Sequence, residues 1–181
     1  MKINNLKILV PLSILIAISQ SCTFIPKKIT AITNFDSDKY LGKWYEIARF
    51  DFKYEKNLNN VTAQYSLNDN GTIKVLNSGY DYKKGSWKSS TGKAKFTKAK
   101  TIAELKVSFF GPFYAGYNVI ALADDYKYAL VAGGKMKYLW ILSRTPTIPD
   151  EVKNDFVNKA NSLGYDTSKL IWVEHSKVLP G

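Results

Sequence analysis

YLGKWYEIARF, residues 40–50, is a strand-like segment in which a tryptophan follows a glycine by two positions. Because successive strand residues point to opposite faces, one face of this strand carries Trp44, Glu46, Ala48 and Phe50. A large ring at the start of a strand needs a partner that covers it. A glutamate on the same face needs a hydrogen-bond partner, a raised pKa or a position with access to water.

The pattern from residue 41 to residue 144 is that of an antiparallel meander, with apolar and polar residues alternating and turn signals about every ten residues. Such a meander closes most simply into an up-and-down barrel, while the alternative, a two-sheet sandwich, usually needs longer crossovers. The predicted fold class is therefore all-β, an eight-stranded antiparallel up-and-down β-barrel. The predicted strands are Lys43–Phe50, Val61–Tyr65, Thr72–Ser78, Lys93–Phe96, Leu105–Phe109, Tyr117–Leu122, Lys127–Ala132 and Tyr138–Ser143.

One C-terminal α-helix and a short final strand follow the barrel pattern. Pro149 and Asp150 favour a helix start, and Gly164 favours its end. Leu170–Glu174 reads as the final strand. The apolar stripe of the helix consists of Val152, Phe156, Ala160 and Leu163.

The N-terminus has the pattern of an export signal. Lys2 and Lys7 supply positive charge, residues 8–18 are apolar, and residues 19–21 are small or polar. The apolar run is shorter than the ~20 residues of a spanning helix, and a buried core helix is the alternative. The predicted organisation is a signal peptide at 1–21, a linker at 22–34 and one domain at 35–181.

Cys22 is the only cysteine, so the domain contains no internal disulfide and no Cys-based metal site. One interpretation is a free surface thiol. The other is a lipoprotein cysteine that becomes the first residue of the mature chain and carries acyl groups, although Ser19 replaces the aliphatic residue usual three positions earlier.

The formal net charge is +11, a balance that favours anionic surfaces such as lipid head groups or nucleic acid. The lysines are scattered and no nucleic-acid-binding motif is present, so we expect no nucleic-acid partner. His175 is the sole histidine, and Asp124-Asp125 fit a turn better than a metal site. We therefore expect neither an enzyme, nor a cofactor, nor a bound metal.

Alternation also assigns the inner face of later strands. The inward residues of the fourth and fifth strands are Ala94, Phe96, Leu105, Val107 and Phe109. One face of the eighth strand carries Tyr138, Trp140, Leu142 and Arg144. If that face is interior, Arg144 can stack on Trp44 at one end of the barrel, with a gain of about 1–2 kcal/mol. The alternative is an ordinary core tryptophan and a surface arginine.

Three short motifs resemble those of the lipocalin family. Gly42-Lys43-Trp44 resembles its Gly-X-Trp motif, residues 123–126 resemble its Thr-Asp-Tyr motif with Asp124 in place of Thr, and Arg144 matches the third motif. Longer stretches, at 40–50, 106–114 and 138–146, resemble the bacterial lipocalins of Gram-negative outer membranes, which are related to apolipoprotein D. The resemblance covers about residues 35–174.

The resemblance implies a calyx with Gly42, Trp44 and Arg144 at its closed base. It implies a fatty acid or lysophospholipid as ligand, with a lipid anchor at Cys22 on the periplasmic side of the outer membrane, and it leaves a homodimer open. The alternatives are an envelope-integrity lipoprotein and a lipid-modifying enzyme. The expected ligand-binding residues are Phe50, Tyr65, Phe96, Val107, Phe109, Tyr114, Tyr138, Trp140 and Leu142.

The run Phe109-Phe-Gly-Pro-Phe-Tyr114 places four aromatic residues around a turn. Alternation prevents all four from facing inward, so some should be exposed at the open rim of the barrel. An exposed apolar patch there marks contact with a lipid or a partner, unless the rings only cover a corner of the sheet.

Overall fold

The computed structural model describes residues 24–176. The predicted signal peptide and Cys22 lie outside the described residues. Antiparallel strands dominate the described chain, in the order expected from the alternation. The elements are α1 (Ser37–Tyr40), β1 (Gly42–Arg49), β2 (Leu58–Leu67), β3 (Ile73–Asp81), β4 (Ser86–Phe96), β5 (Glu104–Phe110), β6 (Phe113–Leu122), β7 (Tyr128–Gly133), β8 (Leu139–Ser143), α2 (Asp150–Ser162), a 3₁₀ turn (Thr167–Lys169) and β9 (Ile171–Trp172).

Strands β1 to β8 form a closed barrel. Each pairs antiparallel with the next, and β1 closes the ring because it pairs with both β2 and β8. The predicted eight-stranded up-and-down barrel is therefore confirmed. The predicted final strand is present as β9, which pairs with Ala48 and Arg49 of β1 outside the ring.

Two apolar clusters lie on opposite sides of the barrel wall. The inner cluster fills the end of the barrel where β1 begins, around the fully buried Trp44. The outer cluster lies under α2, which buries Phe156 and Ala160 against the wall. This is the side of α2 that the apolar stripe predicts. No helix within residues 24–176 has the length and apolar character needed to cross a bilayer.

The segment before the barrel is packed rather than free. Ile29 and Ala31 are buried, and the N–H of Ile32 donates to the carbonyl of Val119 (2.9 Å). Residues 24–34, predicted as part of a linker, therefore pack on the barrel, with Ile25 and Ile29 against the outer cluster and Ile32 against the inner one. The short helix α1 follows, and Asp36 caps it by accepting from the N–H of Asp38 (3.0 Å). Four residues are too few for a helical period, so the sequence did not predict it.

A bulge in β1 reverses its alternation. Glu46 pairs with Leu142, but Ala48 pairs with Ile141, so Ile47 is an extra residue in the strand. Beyond it Arg49 reaches inward to Glu46, whereas Phe50 turns outward, with its ring 6.0 Å from that of Tyr165. The prediction that Phe50 lines the interior is therefore wrong, and Ala48 likewise belongs to the outer cluster.

Candidate ligand-binding cavity

The closed end of the barrel is sealed by a stacked pair. The guanidinium carbon of Arg144 lies 3.9 Å from the ring centroid of Trp44, the contact that the sequence predicts. The indole N–H of Trp44 donates to the carbonyl of Tyr40 (2.9 Å). The guanidinium donates to three carbonyls, those of Lys39 (2.7 Å), Lys43 (2.9 Å) and Tyr126 (3.2 Å). Arg144 therefore ties α1, β1 and the β6–β7 turn together under the indole.

Gly42 leaves room for this pair. Its φ of +94° lies in the region that side chains disfavour, and a Cβ would stand 3.3 Å from a terminal nitrogen of Arg144. A glycine two residues before Trp44 is therefore a steric requirement of the closed end.

Three tyrosine hydroxyls meet above the closed end. The hydroxyls of Tyr40 and Tyr117 lie 2.7 Å apart, and Tyr65 donates to Tyr117 (2.9 Å). Burial raises the pKa of all three phenols, so they stay neutral hydrogen-bonding groups. Of the three, only Tyr65 is among the ligand-binding residues predicted from the sequence, although Tyr117 has the same parity in β6 as the inward Val119.

Above these hydroxyls the barrel encloses a cavity of about 800 Å³ that opens at the opposite end. This volume is in the range of sites for small organic ligands. Seven of the nine predicted residues border it: Tyr65, Val107, Phe109, Tyr114, Tyr138, Trp140 and Leu142. The rings of Tyr138 and Trp140 stack at 6.2 Å, and Phe52, which sequence analysis missed, meets both edge-on.

Two predicted residues do not line the cavity. Phe50 lies outside the barrel for the reason given above. Phe96 is the last residue of β4, and its ring packs against Phe35 (6.2 Å) in the inner cluster. Phe96 thus faces inward, but it packs in the apolar cluster at the closed end and does not line the cavity. Parity predicts the face of a strand residue but not its depth in the barrel.

Tyr114 borders the cavity only at its rim. Its ring lies on the outer wall, where the ammonium groups of Lys95 and Lys106 are 5.0 and 5.3 Å from its centroid. A bulge in β5 between Val107 and Phe110 shifts the register of the β5–β6 pairing by one residue at the tips of these strands. At the rim itself Phe110 and Phe113 are 64% and 79% exposed, so aromatic residues of this run are exposed there as predicted.

A buried charged cluster lies in the wall near the open end. Arg49 donates to the carboxylate of Glu46 (2.8 Å) and to the carbonyls of Glu55 (2.8 Å) and Leu58 (3.1 Å). The indole of Trp140 donates to the Glu55 carboxylate (3.1 Å). Glu46 and Glu55 both border the cavity. The sequence pattern places Glu46 on the inner face but does not predict Arg49, because the β1 bulge that turns Arg49 inward has no local sequence signal. Glu55 lies in the connection after β1, where the alternation of a strand does not apply.

Only one of the two carboxyl groups, that of Glu46, pairs with the guanidinium of Arg49, while that of Glu55 accepts from Trp140. Burial raises the pKa of Glu46 well above its usual range, and Glu55 raises it further. Burial also raises the pKa of Glu55, against the opposing effects of Trp140 and Arg49. The folded protein therefore holds protons on this pair more tightly than the unfolded chain does, and the resulting contribution to stability is lost as the pH rises through the raised pKa values.

We expect Glu55→Gln to become increasingly favourable to folding, relative to the wild type, as the pH rises from about 4 to 8. The amide removes a buried charge while keeping an acceptor for Trp140. The gain at the upper end should be on the order of 1 kcal/mol, measured by urea unfolding across this pH range. Glu151→Gln, at an exposed position in α2, is the matched control. A gain that shrinks as the pH rises would contradict the assignment.

The remaining polar candidates have structural surroundings. Asp125 accepts the N–H of Lys127 (3.0 Å) and pairs with its ammonium group (2.8 Å), as expected for a turn residue. His175 lies edge-on to Tyr45 (5.3 Å) and hydrogen-bonds to the carbonyl of Glu46 (2.8 Å). Residues 24–176 contain no grouping of three or more His, Cys, Asp or Glu side chains suited to a metal ion.

Known proteins are similar to this chain in sequence and in fold. A family model for the lipocalin-like domain matches residues 35–175. Outer membrane lipoprotein Blc of Escherichia coli K12 is 58% identical over 149 residues, which cover 82% of this chain and 84% of the relative. Mouse apolipoprotein D is 37% identical over 145 residues, which cover 76% of this chain and 75% of the relative.

Among solved structures, insecticyanin from the tobacco hornworm Manduca sexta superposes with a TM-score of 0.69. The superposition covers 85% of this chain and 87% of insecticyanin at 21% sequence identity. At this identity the similarity establishes the fold and not the function. The family model, by contrast, spans the barrel, α2 and β9 together. This chain belongs to the lipocalin-like family.

Proposed function

We propose that this chain binds one single-chain lipid, a fatty acid or a lysophospholipid, in the barrel cavity, and that it stores or carries this lipid without modifying it. The observation that supports the proposal most directly is the cavity of about 800 Å³, which is bordered mainly by apolar side chains and opens at one end. A linear acyl chain suits an apolar space of this volume.

The energetics suit a reversible carrier. Burying about fourteen methylene groups gains on the order of 11 kcal/mol, at ~0.8 kcal/mol each. Association and ordering of the ligand cost several kcal/mol, which leaves about 6–8 kcal/mol and therefore an affinity in the micromolar range. The tyrosine hydroxyls and the Arg49–Glu46–Glu55 cluster supply hydrogen-bonding groups at two depths of the wall.

We propose further that the protein is a lipoprotein of the outer membrane, anchored through Cys22 on the periplasmic side. The support is the lipoprotein-like N-terminal sequence together with the high identity to relatives named outer membrane lipoprotein. Mass spectrometry of the mature N-terminal peptide tests this: a diacyl or triacyl adduct on Cys22 supports the anchor, and an unmodified thiol contradicts it.

Trp140→Ala should weaken the binding of a fluorescent fatty acid by at least about tenfold, because it removes a large apolar surface from the cavity wall. The ring of Trp140 stacks on Tyr138 and its N–H contacts Glu55, so its loss also loosens the wall near the open end. The measurement is a fluorescence titration of delipidated protein, followed by extraction of the ligand to establish that it is returned unmodified.

Trp172→Ala is the matched control, because Trp172 is 42% exposed on β9, outside the ring of barrel strands. It should bind the fatty acid with the affinity of the wild type. Equal affinities for Trp140→Ala and the wild type would argue against the cavity as the binding site, and recovery of a chemically altered lipid would argue for an enzyme.

A further inference from the structure

Exposed apolar side chains gather at the open end of the barrel. Four connections lie there, at the end of the barrel opposite the Trp44–Arg144 pair: 50–57, 82–85, 111–112 and 134–138. Among exposed large apolar side chains of the described residues, only Leu67 lies at the closed end. We call the exposed group at the open end the rim surface: Tyr54, Tyr82, Trp87, Phe110, Phe113 and Met136.

Positive charge is concentrated at the same end. Six lysines and two acidic residues lie in three of the open-end connections, 50–57, 82–85 and 134–138. One of the two acidic residues, Glu55, borders the cavity. None of the six makes an ion pair within the described residues. The three hairpin loops at the closed end balance three lysines with three aspartates. The six lysines are Lys53, Lys56, Lys83, Lys84, Lys135 and Lys137.

The N-terminal segment approaches the barrel beside this end. The carbonyl of Phe24, the first described residue, accepts from the amide of Asn118 (2.8 Å), and its oxygen would lie 1.8 Å from a Cβ at Gly116. Gly116 is three residues along β6 from Phe113 at the rim, a distance of about 10 Å. The close approach of Phe24 explains why this outward position is a glycine.

Cys22 precedes Phe24 by two residues, which span at most about 7 Å. A lipid anchor at Cys22, as proposed above, would therefore join the chain within about 7 Å of Phe24. The described chain thus begins at the barrel wall beside Gly116, about 10 Å along β6 from the rim residue Phe113.

We propose that the rim surface docks onto an anionic lipid bilayer, so that the open end of the cavity faces the membrane to which the protein is anchored. The aromatic side chains enter the head-group layer, where amphipathic rings are favoured, and the six lysines pair with anionic head groups. An acyl chain then passes between bilayer and cavity without crossing bulk water. This inference rests on the proposed lipid binding, because it describes how the same cavity is loaded.

The test follows the transfer of an anthroyloxy-labelled fatty acid from the full mature protein to vesicles. Docking predicts a transfer rate that rises in proportion to vesicle concentration, rises when phosphatidylglycerol is added to phosphatidylcholine, and falls with salt. Tyr82→Ser combined with Trp87→Ser should slow transfer at least about tenfold while the equilibrium affinity is kept, because neither side chain borders the cavity. Leu67→Ser, an exposed apolar residue at the closed end, is the matched control and should transfer at the wild-type rate.

A transfer rate that is independent of vesicle concentration would overturn the proposal, because the fatty acid would then leave through water. Equal transfer rates in the rim and control variants would overturn it as well. If the rim variants instead abolish a protein dimer seen by analytical ultracentrifugation and leave transfer unchanged, the rim surface binds a second copy of the chain and the membrane assignment is wrong.

A second measurement separates this proposal from the proposed function. Co-sedimentation of ligand-free Cys22→Ser protein with phosphatidylglycerol-containing vesicles needs neither ligand nor acyl anchor, and adding Lys83→Gln and Lys84→Gln should weaken it by about tenfold. Sedimentation without any fatty-acid binding would support docking and contradict the lipid-carrier function. Fatty-acid binding without sedimentation would support the carrier and contradict docking.

Discussion

Trp44→Ala is expected to lower the free energy of unfolding by about 3–5 kcal/mol, the typical cost of replacing a fully buried large aromatic residue with alanine. The indole is completely buried, stacks on the guanidinium of Arg144 and donates to the carbonyl of Tyr40. Its loss leaves a void under the tyrosine cluster and takes away the surface on which Arg144 rests. Urea unfolding followed by circular dichroism measures the effect.

Trp87→Ala is the control for this measurement, since Trp87 is 45% exposed and should cost about 1 kcal/mol or less. If Trp44→Ala does not fold, Trp44→Phe keeps an aromatic ring while losing the indole N–H, and an intermediate loss of about 1–3 kcal/mol is expected. Equal stabilities for the Trp44 and Trp87 variants would show that the stacked pair does not hold the base of the barrel together.

Val107→Trp should weaken fatty-acid binding by about a hundredfold, because the indole takes the place of several methylene groups of the ligand at ~0.8 kcal/mol each. Val107 borders the cavity, and its partners on the two neighbouring strands are alanines, Ala94 and Ala115. A large side chain therefore extends into the lumen without meeting a bulky neighbour in the wall. The affinity is measured by titration of delipidated protein.

Lys93→Trp places the same ring on the outer face of the adjacent strand and is the matched control. It should leave the affinity within about twofold of the wild type, since exposed substitutions away from a site have small effects. Unchanged binding in Val107→Trp would place the ligand outside the barrel lumen.

Alternation and turn spacing were sufficient to predict the barrel, because the period of two follows directly from strand geometry. Trp44 and Arg144 were paired for the same reason: each lies near the end of its strand, and the two strands are neighbours in the closed ring. Val107, Trp140 and Leu142 border the cavity as the parity of their strands requires.

The errors have two physical causes. The bulge in β1 reverses the alternation, which sends Phe50 outward and brings Arg49 inward. The bulge in β5 offsets the pairing of the strand tips, so Tyr114 borders the cavity only at its rim. A bulge bends the strand to fit the curvature of a closed barrel, and no short sequence motif predicts where it occurs. Phe96 illustrates the second cause, since depth along the barrel depends on strand length and tilt rather than on parity.

The most direct test of the cavity's function is native mass spectrometry of the protein purified gently from its own membranes, compared with Val107→Trp. We expect the wild-type protein to carry one non-covalent adduct with the mass of a single-chain lipid, and the variant to carry none. A wild-type protein that arrives empty and accepts no fatty acid or lysophospholipid at micromolar concentration would contradict the claim that this barrel exists to hold an acyl chain.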